Sequence, residues 1–343
     1  MSEEVTDKHR DDSTCPPKCA SYVKYCSDDD RVIKGIFEDH KIRFTQPWAL
    51  NDPLEFNPTI KFKNSAKYHW FRYDGIVFPS EEWWVRIHLI ERRINEFGIL
   101  SLTKIWDSFD MWSRYANGHK GFLLALKSNF NEQSCMLSPD GRPYPVEEVD
   151  YVREYVVDME ELVDDQGKLR EELARQQLFF RKLSRWYTEE EYRMVRSFSD
   201  LPGYAPLAAG PHRDGRVHLF DLPLDCVELV VFGAYMSIEN KRRIMKACEG
   251  LSIPLHQAVI IRDEREEDTL GGKMASIETL PVGQFPQLMD MQPFNFVRDR
   301  AHFEDQRRVH DVNSLSELPY WEDDSAWVRE FYDNRRRRER GES

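Results

Sequence analysis

The sequence lacks paired cysteine motifs, long apolar runs and any excess of positive charge. Its six cysteines, Cys15, Cys19, Cys26, Cys135, Cys226 and Cys248, form no Cys-x-x-Cys pair, and no His-x-x-x-His follows at ligand spacing. Cys15, Cys19 and Cys26 with His9 offer the N and S donors that zinc takes, but without the usual paired knuckles. Reduced thiols of a cytoplasmic protein are the better reading, and no metal is expected. The longest apolar run, Leu229 to Met236, falls well short of the roughly 18 residues that cross a bilayer, so no membrane partner is expected. Met1 to Ala20 contains no apolar core of a signal peptide and reads as a disordered arm. Acids outnumber bases 61 to 48, a net charge of −13. Such a surface repels phosphate backbones and argues against broad nucleic-acid binding.

What is present suits a folded core. Apolar residues make up 41% and aromatics 13% of the 343 residues, ample for a buried interior. The chain parses as an arm over 1–20, one globular domain over 21–282 and an extension over 283–343. That extension ends in the basic run Arg335 to Arg338.

Hydrophobic periodicity predicts the elements of the domain. A short strand at Tyr22 to Tyr25 precedes a helix capped at Asp28, Asp29 or Asp30, with Val32, Ile33, Ile36 and Phe37 on one face. Lys41 to Thr45 alternates as a strand does. Trp83 to Phe97 has helical spacing and a stop at Gly98. Strands follow at Ile99–Ile105 and Gly121–Leu126. Asp158 to Leu183 reads as a helix broken near Gly167. Further strands are expected at Glu191–Phe198, Leu224–Phe232 and, last, His256–Arg262. A helix from Ser237 to Cys248, closed by Gly250, separates the final two. Together these give an α+β (mixed α/β) fold, a mostly antiparallel mixed sheet with flanking helices.

Four segments carry the information, three bearing on chemistry and the last on architecture. In Asn51-Asp52-Pro53 either acidic-amide side chain can close an Asx-turn after a strand, or it can contact a ligand. In Met111-Trp112-Ser113-Arg114-Tyr115-Ala116, the rings of Trp112 and Tyr115 share a helical face. They fill a core or stack on a planar ligand. His119 follows as a titratable candidate. In Trp186 to Arg193, Glu189 and Glu191 point to one side of a strand, and two close carboxylates shift each other's pKa. The competing reading is a solvated acidic turn with Arg193 neutralising Glu191. Gly233, ending the hydrophobic strand, permits a tight turn into the next helix.

Taken in order, Val23-Lys24-Tyr25, Asn51-Asp52-Pro53, Met111 to Ala116, His119 to Gly121 and Trp186 to Arg193 resemble the motifs of a bacterial family labelled domain of unknown function 2971. The likeness covers about three quarters of the chain. Cys26 stands where many members have Arg, and Ile105 to Ser108 where many have Cys-Phe-Ser-Glu. More distantly the layout looks like ADP-ribosyltransferases, which implies a split sheet and NAD as substrate. By that likeness Glu191 is the catalytic carboxylate and Glu189 orients the acceptor, an unidentified macromolecule. Tyr25 and Trp112 flank the nicotinamide, with Asn51, Asp52, Tyr115 and His119 completing the ligand site. The role implied is a toxin or phage-defence effector. The alternatives are a non-catalytic nucleotide-sensing or protein-interaction module, and a metal-dependent phosphoryl-cleaving enzyme using Asp52, Glu189 and Glu191.

Overall fold

A computed structural model describes residues 22–61, 70–73, 76–79, 90, 92–162, 164, 169–206, 215–267, 273–282 and 297–299. The arm, most of the Trp83 to Phe97 segment, Gly167 and the C-terminal arginines lie outside them.

Nine strands form the main sheet. In chain order they are β1 (Tyr22–Cys26), β2 (Phe97–Thr103), β3 (Phe122–Leu126), β4 (Val146–Glu148), β5 (Glu191–Ser197), β6 (Val227–Phe232), β7 (Leu255–Glu267), β8 (Lys273–Pro281) and β9 (Val297–Asp299). Their order across the sheet is β8-β7-β6-β3-β1-β2-β5-β4, with β9 also on β7. The pairings β6–β7 and β7–β9 are parallel and the others antiparallel. The class is α+β, with a mixed sheet. Among the described residues the longer helices packing around it are α1 (Asp30–Phe37), α2 (Phe109–Tyr115), α3 (Glu171–Phe179) and α4 (Ile238–Ala247), with short helices at Arg92–Glu96 and Met159–Leu162. Among the described residues no helix is long and apolar enough to cross a membrane.

Local sequence explains most boundaries. Asp29 caps α1 by accepting from the Arg31 amide at 2.9 Å, and Ser108 and Ser237 do the same for α2 and α4. Gly233 is required by close approach: a Cβ there would fall onto the His119 and Gly121 carbonyl oxygens.

Four expectations are corrected. The stretch Asp158 to Leu183 is not one broken helix, because Val156–Asp158 and Arg181–Leu183 are strands around the short helix Met159–Leu162 and α3. Arg181–Leu183 pairs in parallel with Asp150–Val152, a nonlocal ladder that helix propensity cannot anticipate. Phe97 and Gly98 begin β2 rather than end a helix. Leu224–Cys226 is a 3-10 turn before β6. His256 to Arg262 is not the last strand, since β8 and β9 follow, and β9 comes from the segment read as an extension.

Side-chain alternation divides the core. On β3, Phe122, Leu124 and Leu126 join one cluster with Ile33, Ile36 and Phe37 of α1 and Ile244 of α4. Leu123 and Ala125 face the opposite side, under Trp112 and Ala116, together with Val23 and Tyr25. That second face is covered by two separate clusters, because Ile99 of β2 and Val195 of β5 pack with Leu178 and Phe179 instead. The gap between the two covers falls where β1 meets β2. It is also the weakest joint of the sheet. β1 and β2 pair only at Val23 with Thr103, whereas β1 runs against β3 along its whole length. Further along β2, Thr45 takes over, bridging Ile99 through two 2.8 Å bonds. The sheet implied by the family likeness is split; here it is one continuous path that opens at this joint.

Candidate functional site

A cavity of about 380 Å³ occupies the opening. Its walls come from β1 (Lys24, Tyr25), β2 (Ser101, Thr103), the Thr45 to Asn51 segment, α2 (Met111, Arg114, Tyr115) and a cluster of charged groups. On α2 the lining residues sit at i, i+3 and i+4, a single helical stripe.

Glu189, Glu191 and Lys182 form the floor. Glu189 and Glu191 do not share a strand as expected. Glu189 ends the 3-10 segment Ser184–Glu189, Glu190 is left-handed (φ 40°, ψ 54°), and Glu191 opens β5. A non-glycine residue in that region is strained, and the strain turns both carboxylates onto one ammonium. Lys182 Nζ donates at 2.8 Å to Glu189 Oε2 and at 2.8 Å to Glu191 Oε2. Behind it, Arg193 donates from Nε to Glu191 Oε1 at 2.8 Å and from Nη2 to Glu191 Oε2 at 2.9 Å. Arg193 also bonds the Glu55 carboxylate and the Phe179 carbonyl. Exposure is 4% for Glu189, 5% for Glu191 and 0% for Arg193, so this is no solvated acidic turn.

Burial alone would favour the neutral acid at Glu191, but Arg193 and Lys182 outweigh it and hold its carboxyl well below the usual range. Burial likewise opposes the charge of Lys182, and Glu191, Glu55 and Glu189 overcome it, raising its pKa. Glu55 goes the other way: burial, with Glu191 nearby, pushes it up despite Arg193. The Tyr151 hydroxyl accepts from the Glu191 amide at 2.9 Å, and burial moves that phenol up to about 12.

Glu189 is tied to the mouth of the cavity. The Tyr115 hydroxyl donates to its Oε1 at 2.7 Å and accepts from Asn51 Nδ2 at 3.2 Å. Arg114 lies 3.8 Å from the same oxygen.

No family model, curated protein or solved structure matches the chain. The site must therefore be read from its own geometry.

That geometry gathers Tyr25, Asn51, Tyr115, Glu189 and Glu191 around one cavity. It leaves out three residues that the sequence reading placed with them. Trp112 is wholly buried, donates from Nε1 to the Trp106 carbonyl at 2.8 Å, and packs edge-on behind Tyr25 at 5.3 Å. His119 is buried against Phe109, Trp112 and Tyr235, outside the lining. Asp52 closes an Asx-turn on the Leu54 amide and holds Arg185 and Trp186 at 2.7 and 2.8 Å. Its carboxylate is thus spent on the fold, and Asp52, Glu189 and Glu191 do not assemble as a metal cluster. Among the described residues, no group of three or more His, Cys, Asp or Glu is placed to hold a metal ion.

Sequence reasoning missed Lys182, Glu55 and Lys24. Lys182 sat inside a stretch read as helix, and Glu55 was the unremarked tail of the Asn-Asp-Pro loop. Only the Glu191-x-Arg193 alternation on a strand hinted at the buried network.

Proposed function

We propose that the cavity binds NAD and that the chain is an ADP-ribosyltransferase-like enzyme acting on a macromolecular acceptor. The observation that supports this most is a carboxylate, Glu191, kept ionised in a cavity that also presents Tyr25 and a second carboxylate. In such a transfer the bond between nicotinamide and ribose C1′ breaks, and nicotinamide leaves with the electron pair. Positive charge develops on the ribose, and a fixed carboxylate beside it stabilises that state. The acceptor nucleophile then bonds to C1′ and releases its proton. Glu189, reached from the cavity mouth through Tyr115 and Asn51, is placed to orient that nucleophile. Tyr25 offers its ring to the nicotinamide.

A second reading has its own support. Both Glu191 oxygens already accept from Arg193 or Lys182, which suits a rigid frame in a non-catalytic nucleotide-sensing or interaction module. Incubating the purified chain with labelled NAD and cell lysate separates the two. The enzyme reading expects label transferred to an acceptor, and on the order of a hundredfold slower transfer by Glu191→Gln protein verified as folded at the assay temperature. Binding of NAD with neither label transfer nor NAD consumption would leave the sensing module.

A further inference from the structure

The joint between β1 and β2 leaves two polar groups underused. At Thr103 β2 pairs with Val23, and at Ile99 with Thr45. Between those points Ser101 faces the opening rather than a strand on this side. Its carbonyl accepts from Lys24 Nζ at 3.3 Å. Its hydroxyl oxygen is buried in the cavity wall and has no hydrogen-bond partner. A buried polar atom without a partner is uncommon and calls for an explanation.

Lys24 is the second group. An ammonium carries three donors, and Lys24 uses one of them on Ser101. The other two lining cations are tied to carboxylates, Lys182 to Glu189 and Glu191, and Arg114 to Asp110 and Glu189. Among the described residues Lys24 forms no ion pair. Burial lowers its pKa, with Cys26 and Glu191 offsetting only part of the shift. An ammonium with spare donors, bonded to the carbonyl of the residue that carries the unpartnered hydroxyl and lining the same cavity, suits a tetrahedral oxyanion.

We infer that Lys24 and Ser101 form an anion subsite that takes the phosphate of a nucleotide entering the cavity. This rests on the reading of the cavity as a nucleotide site and is independent of turnover. The carboxylate floor then faces the uncharged or cationic end of the ligand, and Lys24 its phosphate. The volume of about 380 Å³ accommodates the nicotinamide nucleotide half of NAD, the half that reacts.

The test uses nicotinamide mononucleotide and nicotinamide riboside, which differ by one phosphate, titrated calorimetrically into the full chain. Wild type is expected to bind the mononucleotide at least about tenfold more tightly, as a charge-assisted contact gives. Lys24→Met should abolish that preference, bringing mononucleotide affinity down to that of the riboside. Ser101→Ala, which removes an oxygen that holds nothing in the free protein, should fold normally and lower mononucleotide affinity severalfold. Equal affinities in wild type, binding of neither compound, or a preference that survives both substitutions would overturn the subsite. If NAD is consumed yet the preference survives both changes, the subsite fails and the transferase stands. A preference lost in the variants without any NAD turnover gives the opposite result.

Discussion

Replacing Glu191 by Gln keeps the side-chain volume and removes one negative charge from the floor of the cavity. Were Glu191 paired with Arg193 at the surface, the change would cost about 0–1 kcal/mol. The structure sets a larger value. The carboxylate accepts three bonds, two from Arg193 at 2.8 and 2.9 Å and one from Lys182 at 2.8 Å. The amide can keep its oxygen on one side only, so its NH2 must face a cationic donor on the other. At roughly 1.5–3 kcal/mol for each charge-assisted bond lost, the variant should be destabilised by about 3 kcal/mol. The loss stays near the low end for a broken buried pair because Lys182 retains Glu189 and Arg193 retains Glu55. With an m-value of about 3 kcal/mol per M, the urea midpoint should fall by about 1 M, read by tryptophan fluorescence. The difference should also depend on pH. Glu191 has a folded-state pKa below its unfolded one, so its stabilisation is present at neutral pH. It is lost as pH falls from about 4 through the depressed folded value. A midpoint shift worth less than about 1 kcal/mol at pH 7 would refute the buried network. It would also show that the activity test on this variant needs no correction for unfolding.

Two further expectations follow from burial. Trp112→Ala should cost about 3–5 kcal/mol, because the ring is wholly enclosed and its removal leaves a cavity behind Tyr25; denaturant unfolding with a loss under about 1 kcal/mol would place the indole at a ligand surface instead. Burial lowers His256 to about 4 from an ordinary value of 6.5. Stability from keeping it neutral is complete above about pH 6.5 and is lost as pH falls towards 4, and His119 acts in the same sense. His256→Gln should flatten that limb of a stability–pH curve; an unchanged limb would refute the assignment.

Periodicity alone determined much of this protein. A cap among Asp28, Asp29 and Asp30, the helix start at Ser237, the strands around β3 and β6, and the mixed sheet class follow from local chemistry that each segment carries by itself. The pairing of Tyr115 with Asn51 and Glu189 lay within motifs the sequence brought to notice, though not as contacts. What the sequence could not decide is which of its charges are buried together. Lys182 is invisible as a site residue until Arg181–Leu183 pairs with Asp150–Val152, and its partner Glu191 is reached only through the left-handed Glu190. Trp112 and Tyr115 share a helical turn, yet one is core and the other lines the cavity, because a stripe of α2 borders the gap between two hydrophobic covers. That gap exists because β2 changes partner from β1 to Thr45. Strand exchange of this kind is a nonlocal event. No periodicity within either strand encodes it, so the cavity is a property of the tertiary structure.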